Sequence, residues 1–179
     1  MKTAIATVTA TALSALLTGA LPAMAQGVIW SGPMMTFSNA PGSDWTQPAN
    51  QDHLTSDVWI TRSTSQGIFN AALESSYAHF YSPAGTEWAY GVLANYATLS
   101  YTDWESWFGS RGNIYSMVGQ NAVVHLINDD IYLGIQFTYW GGNGGGFAYT
   151  RSTPAAVPEP TTMALLLAGL ATLARRRRK

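Results

Sequence analysis

The chain has 179 residues, is 47% hydrophobic and contains no cysteine, which excludes disulfides and cysteine catalysis and argues against structural zinc. The basic residues lie mostly at the two ends, so residues 26–153 hold three arginines against nine acidic residues, a net charge near −6. This charge argues against nucleic acid and anionic lipid as partners of that segment, because both require clustered positive charge.

The start of the chain has the composition of a secretory signal peptide. Lys2 provides the positive charge, a small and apolar stretch runs to Leu21, and Ala23-Met24-Ala25 forms an A-x-A cleavage site. We predict that signal peptidase cuts between Ala25 and Gln26; an uncleaved signal anchor is the alternative. The predicted organisation is a signal peptide over residues 1–25, one domain over residues 26–154 and a sorting tail over residues 155–179.

The middle segment is long enough for a single domain with its own core. Its helix signals are weak, whereas short runs rich in β-branched and aromatic residues are common. A helical turn capped by Asp103 and ending at Phe108 is the exception. The first predicted strands cover residues 28–37, 57–62, 68–77, 88–94 and 97–101.

The clearest predicted element is a hairpin over residues 122–127 and 131–140, joined by the turn formers Asn128-Asp129-Asp130. Every second residue of its later strand is apolar, which predicts a sheet that packs on one side. Those residues are Ile131, Leu133, Ile135, Phe137 and Tyr139. A flexible glycine-rich loop and a final strand over residues 147–151 follow. About eight short strands predict an all-β fold, an antiparallel β-sandwich resembling a jelly roll.

Asp129 and Asp130 are weak calcium-ligand candidates, because clustered side-chain oxygens suit a hard cation. The segment lacks the Asp-x-Asp-x-Asp-Gly spacing, and Asn and Asp are common in turns. A plain turn is therefore the preferred interpretation. The three histidines, His53, His79 and His125, lack metal-ligand spacing, and no cofactor is predicted.

Glu74, Asp103 and Glu105 are candidates for the carboxylate pair of a glycoside hydrolase. On a strand, Asp103 and Glu105 would share one face about 7 Å apart. Solvated surface carboxylates are the preferred interpretation, and no G-x-S-x-G elbow is present. We assign no catalytic residue and expect a non-enzymatic protein.

Seven tryptophans offer aromatic faces that either fill the core or stack on sugar rings. Trp45, Trp104 and Trp107 lie in polar or loop contexts, so they are the predicted exposed sugar-stacking residues. Trp59, between Val58 and Ile60, is expected in the core. Core packing is the preferred role for most of the seven.

The C-terminal tail combines Pro158-Glu159-Pro160, an apolar run over residues 163–174, and a basic end. The basic end contains Arg175, Arg176, Arg177 and Arg178. A helix over the apolar run would be roughly 18 Å long, short for a bilayer core of about 30 Å. The basic end would stay in the cytoplasm. The extended, proline-flanked motif would then be open to a protease outside the inner membrane.

This tail, with Val157-Pro158-Glu159-Pro160 as its motif, resembles the PEP-CTERM sorting signal of Gram-negative bacteria. The resemblance implies processing by an exosortase, a membrane-embedded protease, in a host that makes extracellular polysaccharide. An ordinary membrane anchor is the alternative.

The domain itself resembles a group of uncharacterised, exported all-β proteins with the same tail. The resemblance is carried by Val58-Trp59-Ile60-Thr61-Arg62, Gly67-Ile68-Phe69-Asn70, Ser82-Pro83-Ala84-Gly85-Thr86-Glu87-Trp88 and His125-Leu126-Ile127, among other stretches. Together these features predict a cell-surface or extracellular-matrix protein, held briefly at the inner membrane, with extracellular polysaccharide as its expected partner. The alternatives are a carbohydrate-binding module and, less favoured, a glycan-active hydrolase.

Overall fold

The structure, a computed structural model, describes residues 27–109 and 113–156, and these residues form an all-β domain. The strands are β1 (Val28–Trp30), β2 (Met34–Asn39), β3 (Asp52–His53), β4 (Trp59–Arg62), β5 (Ile68–Asn70), β6 (Thr86–Tyr90), β7 (Ala122–Leu126), β8 (Ile131–Trp140) and β9 (Phe147–Ser152). The predicted cleavage site at Ala25 and Gln26, the motif Pro158-Glu159-Pro160 and the basic residues 175–178 lie outside the described residues.

The larger sheet has the strand order β2-β9-β8-β7-β6. Its strands β6 to β9 follow one another as an antiparallel meander, and β2 adds to the outer edge of β9 with Met34 opposite Ser152. The short strand β1 pairs in parallel with the first residues of β8, from Ile131 to Leu133. It occupies the part of β8 that β9 leaves unpaired, because β9 pairs only from Ile135 onward.

The smaller sheet has the order β3-β4-β5, and both sheets contribute to one hydrophobic core. Ile60 and Ile68 of the smaller sheet belong to the same buried cluster as Val124 and Leu133 of the larger one. The predicted all-β antiparallel sandwich is therefore confirmed. The meander is a simpler strand order than the jelly roll that was also expected.

Large aromatic side chains fill much of this core. Trp88, Phe137 and Tyr149 are buried completely or almost so, and the Phe137 ring lies 6.2 Å from that of Trp88 and 5.4 Å from that of Tyr149 between centroids. Tilted and edge-on ring pairs of this kind add stabilisation beyond the burial of apolar area. The domain thus obtains from aromatic packing the stability that disulfides would supply in other exported proteins.

The alternation predicted for β8 holds as far as Phe137 and then reverses. Tyr139 was expected on the buried face, but it is 47% exposed, while Trp140 is buried. The pairing with β9 shifts between Phe137 and Tyr139, so Thr138 is an extra residue in β8. A β-bulge moves the later side chains to the opposite face because the side-chain period of a strand is two.

Two other local predictions were wrong in part, and one was confirmed. Residues 97–101 do not form the expected strand, because the 3₁₀ helix Leu93–Thr98 includes the first two of them and the remaining three are irregular. The first predicted strand is divided in two at Gly32, whose backbone N–H donates to the carbonyl of Thr153. The helical turn Trp104–Trp107 is present, and the Asp103 carboxylate caps it by accepting from the Ser106 N–H at 2.9 Å.

A buried ion pair joins the two sheets. Asp52 of β3 accepts from Nε and Nη2 of Arg151 at 2.6 and 2.7 Å, and from the Tyr149 hydroxyl at 2.7 Å. Burial and the Asp52 carboxylate raise the pKa of Tyr149 well above its usual value. Burial acts to lower the pKa of Arg151, but the hydrogen bonds and charge of Asp52 outweigh it and raise that pKa. Both oxygens of Asp52 are thus satisfied, as a buried carboxylate requires.

Candidate functional site

A cleft of about 440 Å³ opens beside the helical turn, at one end of the sandwich. Its walls come from five segments that are far apart in the chain: the loop between β4 and β5, the segment after β5, the helical turn, the 3₁₀ helix Ile114–Met117 and the loop that follows β8. We call it the Glu105 cleft, after its buried carboxylate. The size lies within the range of small-ligand sites, and the lining combines aromatic rings with a similar number of polar or charged side chains.

Glu105 lies in the helical turn and is only 4% exposed. One carboxylate oxygen, Oε1, accepts hydrogen bonds from the Tyr77 hydroxyl and from Nδ1 of His79, the latter at 2.8 Å. The other oxygen, Oε2, is buried and has no hydrogen-bond partner within the described part of the chain. The His79 side chain is 61% exposed, so it extends from the buried carboxylate toward solvent at the cleft.

Arg62, at the end of β4, is also buried at the cleft. Its Nη1 donates to the carbonyls of Gly141 and Gly146, and its Nε donates to the carbonyl of Gln66. The guanidinium lies 3.8 Å from the centre of the Trp140 ring, a cation–π contact. Burial lowers the pKa of Arg62 to about 10. Among the described residues no carboxylate lies within ion-pair distance of it.

Arg62 therefore holds the glycine-rich loop after β8, which was expected to be wide and flexible. The N–H of Gly141 donates to the carbonyl of Gly146, which closes the loop on itself. Gly145 has a φ of 75°, and a Cβ there would collide with the carbonyl oxygen of Ser63. Only glycine allows the loop to approach the β4–β5 connection this closely.

The exposed side chains among the described lining residues include no Lys, Arg, Asp or Glu. Tyr115 is 57% exposed, and Ser65, Gln66 and Asn143 are exposed as well. Together with the His79 imidazole, the accessible surface thus combines the Tyr115 ring with hydroxyl and amide groups that both donate and accept hydrogen bonds.

The tryptophans predicted to be exposed are largely buried. Trp104 and Trp107 both belong to the core, because the short helix turns them inward against Trp140 and Trp88, so the prediction of exposure was wrong for these two. Trp104 nevertheless forms part of the cleft wall.

The other two tryptophans singled out by their context are partly buried. Trp45 lies away from the cleft and packs edge-on against Phe69, with ring centroids 5.1 Å apart. Trp59 was expected in the core but is also only partly buried, with its ring stacked on His53 at 4.3 Å.

The three candidate carboxylates are not brought together. Oε2 of Glu74 accepts from the backbone N–H groups of Asn70 and Ala84, which is a structural role. Asp103 is the helix cap rather than a strand residue; burial acts to raise its pKa, but the hydrogen bonds from Ser106 lower it. Glu105 is the one carboxylate among the described residues that line the cleft. The carboxylate pair of a glycoside hydrolase is therefore not assembled there.

Asp129 and Asp130 form the hairpin turn, with Asp130 at a φ of 49°. Asp130 contacts Nε2 of His125 at 3.1 Å, and Glu87 contacts Nδ1 of the same ring at 2.7 Å. The His125 ring stacks on Tyr132 at 4.1 Å. Across the described ranges, no group of three or more His, Cys, Asp or Glu residues is placed to hold a metal ion.

Sequence reasoning identified Glu105 but missed the residues that complete the cleft. Arg62, Tyr77, Tyr115 and Trp140 are separated in the chain and carry no shared spacing pattern. One usable signal was Arg62 itself, since an arginine following the apolar residues Trp59 and Ile60 in a strand needs buried partners.

The comparison with protein families gives a match to the C-terminal tail. Residues 156–179 match the PEP-CTERM protein-sorting motif, so the suspected sorting tail is confirmed. This motif implies export to the cell surface of a Gram-negative bacterium and processing by an exosortase, a membrane protease. No curated protein and no solved structure matches the chain. Within residues 27–109 and 113–156, no helix is long and apolar enough to cross a membrane.

Proposed function

We propose that this exported, exosortase-processed chain is a non-enzymatic protein of the cell surface or extracellular matrix, and that its domain binds a saccharide in the Glu105 cleft. The observation that supports saccharide binding best is the exposed Tyr115 ring beside exposed hydroxyl and amide side chains. Protein sites for sugars combine an aromatic face for the ring with polar groups for the hydroxyls. This arrangement replaces the predicted platform at Trp45, Trp104 and Trp107.

The maturation route is the second part of the proposal. Signal peptidase cuts after Ala25, the apolar run of the tail keeps the chain briefly in the inner membrane, and the exosortase then cuts near Pro158-Glu159-Pro160. Intact mass spectrometry of the protein from each fraction of its native cells tests this route. A mass that starts at Gln26 and ends near the motif, outside the inner membrane, supports it. A mass that still includes residues 175–179, found only in the inner membrane, would contradict it.

Saccharide binding is tested by calorimetry with a panel of oligosaccharides. We expect binding by the wild-type protein and a loss of about tenfold in affinity for Tyr115→Ala, since one aromatic stacking partner contributes on the order of 1 kcal/mol. The matched control is Tyr81→Ala, which removes another exposed tyrosine, 68% against 57% for Tyr115, that is not among the described lining residues of the cleft. Absence of binding to every glycan tested would leave only a structural role in the envelope.

The non-enzymatic part of the proposal has its own test. The described lining of the cleft provides one carboxylate, whereas retaining and inverting glycosidases need two. We expect the purified protein to leave the same oligosaccharides intact during long incubation. Reducing ends that accumulate with the wild-type protein and disappear with Glu105→Gln would establish a hydrolase instead.

A further inference from the structure

We infer that the Glu105 cleft selects neutral saccharides and rejects acidic ones. This inference rests on the proposed saccharide binding and names the class of ligand. The selection follows from four properties of the cleft: its rim, its buried arginine, its buried carboxylate and the charge of the surrounding domain.

Among the described lining residues, no Lys, Arg, Asp or Glu has an exposed side chain. Ser65, Gln66 and Asn143 are the exposed polar side chains among the described lining residues besides His79 and Tyr115. Hydroxyl and amide groups donate and accept at once, as sugar hydroxyls do. They therefore match a hydroxylated ring and offer no counter-ion to a uronate carboxylate.

The cation in the wall is already engaged within the protein. Arg62 donates three hydrogen bonds to backbone carbonyls and lies against Trp140, and it is 4% exposed. An acidic sugar that bound the guanidinium would have to displace those carbonyls, each of which would then lose the hydrogen bond from Arg62. Arg62 thus fixes the loop that forms one wall and is not an anion receptor.

The carboxylate in the wall favours hydrogen-bond donors and opposes anions. Glu105 Oε2 and Trp104 Nε1 are buried atoms of lining residues without a partner in the described ranges. One is an acceptor and the other a donor, and a hydroxyl group can serve as the partner of either. A uronate placed near Glu105 would face a like charge in a site of reduced dielectric.

The domain as a whole adds a repulsive field. Residues 26–153 carry a net charge near −6 from three arginines and nine acidic residues, and two of the arginines, Arg62 and Arg151, are buried. A field of this sign slows the approach of polyanions and leaves neutral chains unaffected. The charge of Glu105 and the net charge of the domain therefore both oppose the binding of an acidic saccharide.

The test compares three probes by calorimetry with the protein purified from its native cells: a neutral glucan hexasaccharide, a polyuronate hexasaccharide and a cationic chitosan hexasaccharide. We expect the neutral probe to bind most tightly and with an affinity that salt does not change. We also expect Glu105→Gln to raise uronate affinity several-fold while neutral affinity falls. That change in selectivity is a readout that a purely structural Glu105 would not give. If the variant does not fold, the salt dependence of the wild-type protein decides the question.

The outcomes separate the two proposals. Tighter binding of the uronate or of the chitosan probe, or an affinity for the neutral probe that falls with salt, would overturn the neutral class but keep saccharide binding. Failure of all three probes, with Tyr115→Ala indistinguishable from Tyr81→Ala, would overturn saccharide binding itself.

Discussion

Two buried carboxylates, Asp52 and Glu105, have nearly the same exposure, 5% and 4%, but they differ in how many of their oxygens accept a hydrogen bond. Each accepts a hydrogen bond from a tyrosine hydroxyl and a second from a nitrogen-bearing side chain. Asp52 uses both oxygens, whereas Glu105 uses one and leaves the other without a partner in the described part of the chain. Asp52 lies between the two sheets, and Glu105 lines the cleft.

The two buried arginines show the same contrast. Arg151 is paired with the Asp52 carboxylate, while Arg62 is held by backbone carbonyls and the Trp140 ring. We call the cluster of Asp52, Tyr149 and Arg151 the Asp52 junction. Within it, the carboxylate and the guanidinium neutralise each other. In the Glu105 cleft, Glu105 and Arg62 are each held by hydrogen bonds but do not form an ion pair with each other. Charged groups arranged in this way are often found at ligand-binding sites. The two carboxylates thus differ in their hydrogen bonds and not in their exposure.

The largest expected loss of stability follows from a change at the Asp52 junction. Asp52→Ala leaves Arg151 buried and unpaired, so we expect the free energy of unfolding to fall by about 3–5 kcal/mol. Urea titration measures this change, and Asp57→Ala is the control, because Asp57 is an exposed acid a few residues away. A loss below about 1 kcal/mol would show that Asp52 does not hold the sheets together.

Removal of Arg62 should lower the free energy of unfolding somewhat less than removal of Asp52. Arg62→Ala leaves the carbonyls of Gln66, Gly141 and Gly146 without this donor. We expect a loss of about 2–3 kcal/mol together with the loss of saccharide binding, both measured on the same preparation. Stability close to that of the wild-type protein would mean that the glycine-rich loop closes without Arg62.

Alkaline pH should lower the free energy of unfolding through Tyr149, which donates to Asp52. The folded-state pKa of Tyr149 is raised well above the unfolded value of 10, so the stabilisation is full below pH 10 and is lost as pH rises above it. For one tyrosine the slope is at most about 1.4 kcal/mol per pH unit. Tyr149→Phe should flatten the dependence of unfolding free energy on pH in this range. Part of the slope should remain, because burial also raises the pKa of Tyr101, to about 12. An identical slope in Tyr149→Phe would assign the effect elsewhere.

The smallest effect on stability is expected at Glu105. Glu105→Gln keeps the shape of the side chain and removes a buried charge whose second oxygen has no donor. We expect a change in unfolding free energy within about 1 kcal/mol, against a much larger loss for Asp52→Asn. Equal losses for the two amide variants would mean that the two sites do not differ in kind.

The sequence predicted what depends on local pattern. The hairpin of β7 and β8 followed from an alternation of apolar residues, and the cap at Asp103 followed from its place before a short helical run. The sorting tail followed from the order of its parts and is confirmed by the family match. In each case the determining residues are close together in the chain.

The cleft did not follow from the sequence, because its parts meet only after the sheets have packed. Arg62 and Gly141, whose contact fixes one wall, are 79 residues apart. The exposure of the tryptophans was misjudged for a related reason. Polar neighbours in the chain do not show which way a four-residue helix turns Trp104 and Trp107. The bulge at Thr138 likewise depends on the match between β8 and β9, which neither strand encodes alone.

The pairing of β2 with β9 has a consequence for the timing of export. Met34 lies opposite Ser152, so a strand near the start of the domain finds its partner only when the last strand has left the translocation channel. Long-range pairings of this kind make folding slow, since a long loop must close before they form. The sorting motif begins at residue 156, a few residues after β9. The larger sheet therefore cannot be completed until the residues just before the sorting motif are available for pairing.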